Sequence, residues 1–542
     1  MNEDKKYVLG CDIGNGYGYV SLLMNENEDP VSLFPSKYGL TGIGMPTAAY
    51  VTPPEGQEIV VFKNGKTAES IYKSKPTQMV RAIKTRFKEK TINIPNIDKP
   101  VETGEIYSAI TRDLIYLAEE ELKNKNIKPV YDIVFTFPAA FADNVSFLEM
   151  MQKNIEKIEI NGNKINVLGR LPEPAAVAID YLHYMQHIAP KDIRITDKKF
   201  TVLVYDLGHG TFDTAVVTAQ SEGTPYVLHS KAGLAEIGGK NFDEILYQEF
   251  IDVLEEQYDY VPKNERMREF VREEAIKAKI ELSANEIESV SVSVSVFNGN
   301  DYYEFEISKE RFEELTEHLL IQTLELVQEV LNESSSAGIK IDAIVLSGGA
   351  SQMPMVLNGL KELVEDEYPV VLYRPSEAVS FGAARFAYGI PTTKSTPDSK
   401  GKPTSNHLSM LKTEKTNQIM EQLTDCCYGL WMPSEDNLEG KVEFMIQSGK
   451  SRPFTSDKVE FFTASPRLVL KLYRSKEKNK GLKSGRMEEC DSILWVPFDV
   501  IPGKKYEASI TVLENYSIEV KLCAETGEII KKTTSDFLSK LI

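Results

Sequence analysis

Two short stretches of this 542-residue chain repeat one another. Asp12-Ile13-Gly14-Asn15-Gly16 follows the apolar run Tyr7-Val8-Leu9, and Asp206-Leu207-Gly208-His209-Gly210 follows Phe200-Thr201-Val202-Leu203-Val204-Tyr205. Each reads as a buried strand that carries a carboxylate to its end and then turns on glycines. Such turns let backbone N–H groups approach a ligand closely. The second stretch continues into Thr211-Phe212-Asp213, which adds a hydroxyl and a second carboxylate able to hold metal-bound water or orient a nucleophilic one. A single copy is equally well a plain hairpin. Two copies, 194 residues apart, point to two similar lobes facing one phosphate chain, each supplying an aspartate for a metal ion.

Three further segments could join that chemistry. Leu346-Ser347-Gly348-Gly349-Ala350-Ser351 lies between the strand expected over Ile341–Val345 and a helix expected over Met355–Val364. Small residues at such a turn admit a flat ring or a sugar. Glu173, in Leu171-Pro172-Glu173-Pro174, either binds metal-coordinated water or is an acid favoured near a helix N-terminus. Lys84, in Val80-Arg81-Ala82-Ile83-Lys84-Thr85-Arg86-Phe87, reads by itself as an ordinary solvated helix lysine.

The elements that must position these residues follow from hydropathy. Strands alternate with amphipathic helices up to about residue 390, which predicts an α/β class. Ile110, Leu114, Leu117 and Leu122 form one helical stripe, and Phe312, Leu315, Leu319, Leu324, Val327 and Leu331 another. Val290 to Val296 alternates strictly with serine and predicts a strand that turns at Asn298-Gly299 and returns through Tyr302 to Ile307. Residues 391–424 are polar and read as a linker, with a short helix near Asn417–Leu423. Residues 425–542 alternate with period two and predict a compact antiparallel β domain, a small sandwich. Within it, Leu430, Met432, Phe461, Leu468 and Leu470 either line a groove for an extended apolar peptide or form the core.

Composition sets the bounds. Hydrophobic residues make up 42% and charged residues 26%, as in ordinary globular proteins. A net charge of -19 argues against nucleic acid or an anionic membrane as the main partner. Five cysteines without CxxC spacing fit a reduced, cytoplasmic compartment, and neither a signal peptide nor a membrane span is expected.

Taken in order, these segments resemble the 70-kDa heat-shock (DnaK-type) chaperones. The resemblance covers most of residues 7–387 and includes Phe135-Thr136-Phe137-Pro138, Ile237-Gly238-Gly239-Lys240-Asn241-Phe242-Asp243, Lys277-Ala278-Lys279-Ile280-Glu281-Leu282-Ser283 and Arg374-Pro375-Ser376-Glu377-Ala378. It implies an actin-like ATPase of two lobes over residues 1–390 and a peptide-binding β domain after the linker. Asp12 and Asp206 would then surround Mg²⁺ and its waters, and Lys84 would meet the γ-phosphate and the attacking water. Glu173 would hold metal-bound water, while Thr211 and Asp213 would assist hydrolysis or a potassium site. Gly14, Asn15, Gly16, Gly208 and Gly210 would line the phosphates of ATP or ADP. Lys279, Ser283, Gly348 and Gly349 would hold the adenosine, and Tyr17, His209, Gly239 and Gln352 complete the expected nucleotide set. Client peptides, J-domain proteins and nucleotide-exchange factors would be partners.

The chain departs from that pattern. His209 replaces a glycine, Asn15 and Gly16 replace hydroxyl residues, Gln352 stands where an arginine packs on adenine, and Ile276 and Lys240 replace acids. Loss of a stacking guanidinium weakens binding by about 1 kcal/mol. The linker holds Leu408-Ser409-Met410-Leu411 in a long polar stretch, and no helical lid is expected after the β domain. ATP binding is therefore better supported than rapid turnover. A nucleotide-gated scaffold or sensor and an actin-like filament protein are the alternatives. A sugar kinase is the weakest reading, for want of a catalytic base motif.

Overall fold

The computed structural model describes residues 7–25, 27–35, 44–52, 61–72, 78–142, 144–191, 194–220, 226–284, 287–295, 302–365, 367–389, 420–422, 427–432, 441–447, 450–462, 466–475, 484–485, 490–513, 518–524 and 528–533. They fall into two compact units. The first comprises Met1–Phe141, Met150–Ala219 and Lys231–Asp398, and the second Ala142–Glu149, Gln220–Ser230 and Ser399–Ile542.

Two sheets of the same design draw all or most of their strands from the first unit. In one, Leu9–Ile13 is central, antiparallel to Tyr17–Leu22 and parallel to Asp132–Phe137. Outside these lie Val31–Ser32 on one side and Asn166–Pro172 on the other. In the other, Lys199–Leu207 is central, with Phe212–Gln220 and then Tyr226–Leu234 on one side. Ala343–Ser347 and then Val370–Leu372 follow on the other side, both parallel. Numbered along the chain, the five strands named in each sheet read 5-4-1-2-3; Met45–Pro46 is a sixth strand beside Tyr17–Leu22 in the first, and Met420–Gln422 a sixth beside Tyr226–Leu234 in the second. The sequence repeat is therefore a repeat of a whole five-strand unit, and Asp12 and Asp206 are the penultimate residues of equivalent strands. Both strands are apolar without alternation because both of their faces are covered; Leu9–Ile13 is buried throughout.

The helix Glu173–His183 follows the last strand of the first sheet, and Ala378–Tyr388 follows that of the second. They cross at Gly382, where a Cβ would stand 1.8 Å from the Ala176 carbonyl oxygen. A buried ionic cluster fixes the same contact. Arg385 Nε donates to Asp180 Oδ1 at 2.7 Å, and Tyr373 Oη donates to Asp180 Oδ2 at 3.0 Å. Burial raises the Asp180 carboxyl, and Arg385 and Arg374 pull it back. This clamp holds the helix whose first turn carries Glu173.

The helix Thr103–Asn124 buries Ile106, Ile110, Leu114, Ala118 and Leu122, so the expected stripe exists but Leu117 lies at its margin. Lys309–Ser336 buries Phe312, Leu319, Val327 and Val330, with Thr316 and Thr323 completing the stripe that Leu315 and Leu324 flank. The serine-valine alternation forms the strand Ser289–Ser295, paired antiparallel with Tyr302–Ser308; the turn at Asn298-Gly299 lies outside the described residues.

In the second unit, two antiparallel sheets share one core. Leu430, Leu470, Leu472, Val496 and Phe498 enter it from one sheet, and Ala508, Ile510, Ile518, Val520 and Leu522 from the other. Leu430 and Leu470 are thus core residues and not groove-lining ones, because their strands turn those faces inward. Phe461 and Leu468 pack on the margin of the core, whereas Phe462 is 78% exposed. A cavity of about 280 Å³ is lined by Val500, Ile501, Tyr506, Leu522 and Ile530 with Lys504 and Glu528. The helix expected near Asn417–Leu423 is corrected within the described residues. Met420–Gln422 is a strand, parallel to Tyr226–Leu228, because a backbone partner outweighs weak local helix propensity.

The crossing at Gly382 has a measurable consequence. Gly382→Ala must push the two helices apart and should cost about 3 kcal/mol of stability, read from the denaturant midpoint at unchanged slope. An unchanged midpoint would show that the contact is loose.

Candidate functional site

The two repeated turns lock into each other. A Cβ at Gly210 would meet Asn15 Nδ2 at 2.7 Å, and a Cβ at Gly16 would meet His209 Cβ at 3.0 Å. Asn15 and His209 are equivalent positions of the repeat, as are Gly16 and Gly210. Each turn therefore receives the other turn's middle side chain on its last glycine. The Asn15 side chain is buried and its Oδ1 has no hydrogen-bond partner.

Buried charge gathers beside the turns. Lys84 is 1% exposed, on the short 3₁₀ helix Ile83–Lys88, and is not a solvated lysine. Its Nζ lies 2.5 Å from Glu173 Oε1 and 3.7 Å from Asp12 Oδ1. Burial works against the Lys84 ammonium, but Glu173 and Asp12 outweigh it and hold it charged. Thr136 Oγ1 donates to Asp12 Oδ1 at 3.1 Å, and the Ala140 N–H donates to Asp213 Oδ1 at 2.9 Å. Burial pushes the Asp12, Glu173, Asp206 and Asp213 carboxyls above their ordinary range. For Asp206, the negative neighbours Glu173, Asp213 and Asp12 push further the same way.

A third group lies where the second sheet's turns meet helix starts. Gly348 has φ 86°, and a Cβ there would stand 2.6 Å from Asp206 Oδ1. Lys279 Nζ pairs with Asp243 Oδ1 at 2.6 Å and lies 3.5 Å from the Gly239 carbonyl oxygen. The Gly239 N–H donates to the Gly208 carbonyl at 2.9 Å, so this group joins the second turn directly. Gln352 Nε2 donates to the Gly349 carbonyl at 3.2 Å, and Ser283 Oγ donates back to the Lys279 carbonyl at 2.8 Å. Tyr17 is 46% exposed at the start of its strand, and Thr211 is buried beside Asp213. Thr136 and Asp243 were missed as site residues. Both lie inside motifs the sequence displays, Phe135-Thr136-Phe137 and Asn241-Phe242-Asp243, but nothing local marks a threonine in a strand or an acid in a helix as a partner.

This donor set suits a divalent cation carried with a polyphosphate. Four carboxylates with weakened acidity face the Lys84 ammonium, and an orphaned Asn15 oxygen awaits a donor. Among the described residues, no three His, Cys, Asp or Glu side chains gather closely enough to hold an ion by themselves.

Removing the Lys84 ammonium should expose that charge excess in a pH-dependent way. At low pH the carboxylates are protonated and lose little; as pH rises through their raised values, the variant keeps charges that nothing balances. Lys84→Met should therefore cost about 3–5 kcal/mol near pH 8 and clearly less near pH 5, read from denaturant midpoints of variant and parent. An equal loss at both pH values would contradict this electrostatic account.

Comparison with known proteins follows the same outline. A family model described as Hsp70 protein matches residues 62–396. The chaperone protein DnaK of Metamycoplasma hominis is 30% identical over 389 residues, which is 70% of this chain and 58% of that protein. DnaK of Mesomycoplasma hyopneumoniae strain 7448 is 29% identical over 388 residues, with the same coverage. DnaK of Ureaplasma parvum serovar 3 is 28% identical over 384 residues. The chain thus spans 58% of the length of these relatives. Among the described residues, no helix is long and apolar enough to cross a membrane.

Proposed function

The chain belongs to the Hsp70 family, and on that premise we propose that it is an ATP-hydrolysing chaperone acting on extended peptide segments of client proteins. Residues 1–390 would form the actin-like ATPase of two lobes, 391–424 the linker, and 425–542 a β-sandwich for peptides. The observation that carries the reading is the interlocked pair of turns, each with its aspartate at the end of an equivalent strand. Ligands of such sheets sit at the carboxyl ends of the strands.

In this reading, the turns Gly14–Gly16 and Gly208–Gly210 line the phosphates, the second through its His209 and Gly210 N–H groups because the Gly208 N–H donates to the Thr211 carbonyl at 3.0 Å, and Gly239, Lys279, Gly348 and Gln352 border the nucleoside. A bound Mg²⁺ would neutralise phosphate charge, with Asp12 and Asp206 holding its waters. Lys84, held by Glu173, places a fixed positive charge where charge develops on the terminal phosphoryl group. Asp206, Thr211 and Asp213 orient the attacking water and take its proton, and Asp213 with Thr211 is the candidate potassium site. Burial raises the Asp213 carboxyl toward neutral pH, where a proton acceptor works best. Slow turnover is part of the proposal, and so is weakened nucleotide binding, because Gln352 offers no guanidinium to stack on the base.

The β unit supports the peptide half. It presents the exposed Phe462 and Val469, the half-buried Met432, Phe461 and Leu468, and an apolar cavity beside the strand Ile529–Thr533. Main-chain hydrogen bonds plus a side-chain pocket are how sheets take extended peptides. J-domain and nucleotide-exchange co-chaperones are the further partners this reading implies. A cytoplasmic setting belongs to it as well.

Steady-state ATP hydrolysis, with and without an extended apolar peptide, tests the proposal. Turnover should rise with peptide, and Lys84→Ala and Thr211→Ala should each lower it by about 100-fold while ADP still binds. ATP binding without turnover under both conditions would instead leave a nucleotide-gated scaffold.

A further inference from the structure

Lys84 is held inward by backbone that its neighbour in sequence disfavours. The 3₁₀ helix Ile83–Lys88 is entered through Ala82, which has φ 51° and ψ 46°. A Cβ makes that left-handed conformation unfavourable, and alanine has no polar side chain to offset it by bonding locally. Backbone strained in this way persists only where its surroundings over-determine it. Here the surroundings include the helix Thr103–Asn124. Its first residue ties down the chain just past the 3₁₀ helix. The Thr103 hydroxyl donates to the Glu89 carbonyl at 2.6 Å, and the Thr103 N–H donates to the Lys90 carbonyl at 3.0 Å. One turn further along, the Tyr107 ring meets the Phe87 ring edge-on, with centroids 5.0 Å apart and planes at 74°. Both rings are buried. Side chains three apart on a 3₁₀ helix eclipse one another, so Phe87 stands on the same face as Lys84. Ile83 is buried as well, but it is a third of a turn away and anchors a different face.

We propose that Phe87 and Tyr107 are positioning residues for Lys84, their edge-to-face contact holding the 3₁₀ helix against the strain at Ala82 so that the ammonium stays beside Glu173 and Asp12. The inference rests on the ATPase reading above and deepens it. Both rings act through Lys84, whose Nζ lies 2.5 Å from Glu173 Oε1 and 3.7 Å from Asp12 Oδ1. Thr103 fixes the chain beyond the helix, and the ring contact opposes Ala82 within it. What the contact controls is the chemical step. Mg·ADP lacks the terminal phosphoryl group that Lys84 serves, so its affinity does not register a displaced ammonium, whereas turnover does. A catalytic group misplaced by about 1 Å costs on the order of 100-fold in rate.

The test compares the full chain with Tyr107→Leu and Phe87→Leu, which keep apolar bulk and remove the ring contact from either side. Turnover at saturating ATP and equilibrium binding of Mg·ADP are both measured. Each variant should lose about 10- to 100-fold in kcat with Mg·ADP affinity unchanged. Tyr107→Phe keeps the ring and should keep the parental kcat. Ala82→Gly, added to Tyr107→Leu, removes the strain that the contact opposes and should restore most of the lost turnover. A contact that only stabilises the fold would lower kcat and affinity together, or neither, and would gain nothing from Ala82→Gly. Any of these results would overturn the assignment while leaving the ATPase reading intact, as would Tyr107→Phe turning over as slowly as Tyr107→Leu. A parent that binds Mg·ADP and hydrolyses no ATP would remove the ATPase reading and this inference with it.

Discussion

The site depends on a packing contact between two backbone turns. Gly16 and Gly210 leave room for each other's neighbouring side chain, and a methyl group on Gly210 would collide with Asn15. That contact brings Asp12 and Asp206 to one place from strands far apart in sequence. It also creates an electrostatic problem, since Asp12, Glu173, Asp206 and Asp213 are all buried and all resist ionisation. Lys84 relieves part of the repulsion, and a divalent cation with a polyphosphate is the kind of ligand that would relieve the rest. A site that is uncomfortable alone stores its binding preference in that discomfort.

The surrounding architecture serves that contact. Two sheets with one strand order place equivalent aspartates at equivalent ends. The buried Asp180–Arg385 pair and the crossing at Gly382 fix the helix from which Glu173 reaches Lys84. Helix dipoles favour acids at such positions, but the geometry comes from packing. Stability and chemistry are therefore joined through the helix Glu173–His183.

Much of the site was legible in the sequence because it is written in strand-and-turn grammar. Asp12 and Asp206 follow apolar runs and precede glycines, so the repeat, the turns and the α/β class could be read locally. Lys84 could not, because the short 3₁₀ helix that buries it has no hydrophobic period to betray its inward face. Thr136 and Asp243 act through partners distant in sequence, 124 residues away for Thr136. In the β unit, period-two alternation separated two faces without saying which was inside, so Leu430 and Leu470 were candidates for a groove they do not line. The stretch Met420–Gln422 became a strand through its pairing with Tyr226–Leu228, a partner that local propensity does not register.

The central claim is that buried negative charge is kept for a ligand at the expense of stability. Asp206→Asn measures this most directly, because it removes one of the mutually repelling carboxylates and keeps its shape. Thermal unfolding should be followed for parent and variant, each without ligand and with Mg·ADP. The account predicts that Asp206→Asn melts several degrees higher than the parent without ligand, yet gains little from Mg·ADP where the parent gains much. A ligand-free variant that melts lower than the parent, or one that keeps the full parental gain from Mg·ADP, would contradict it.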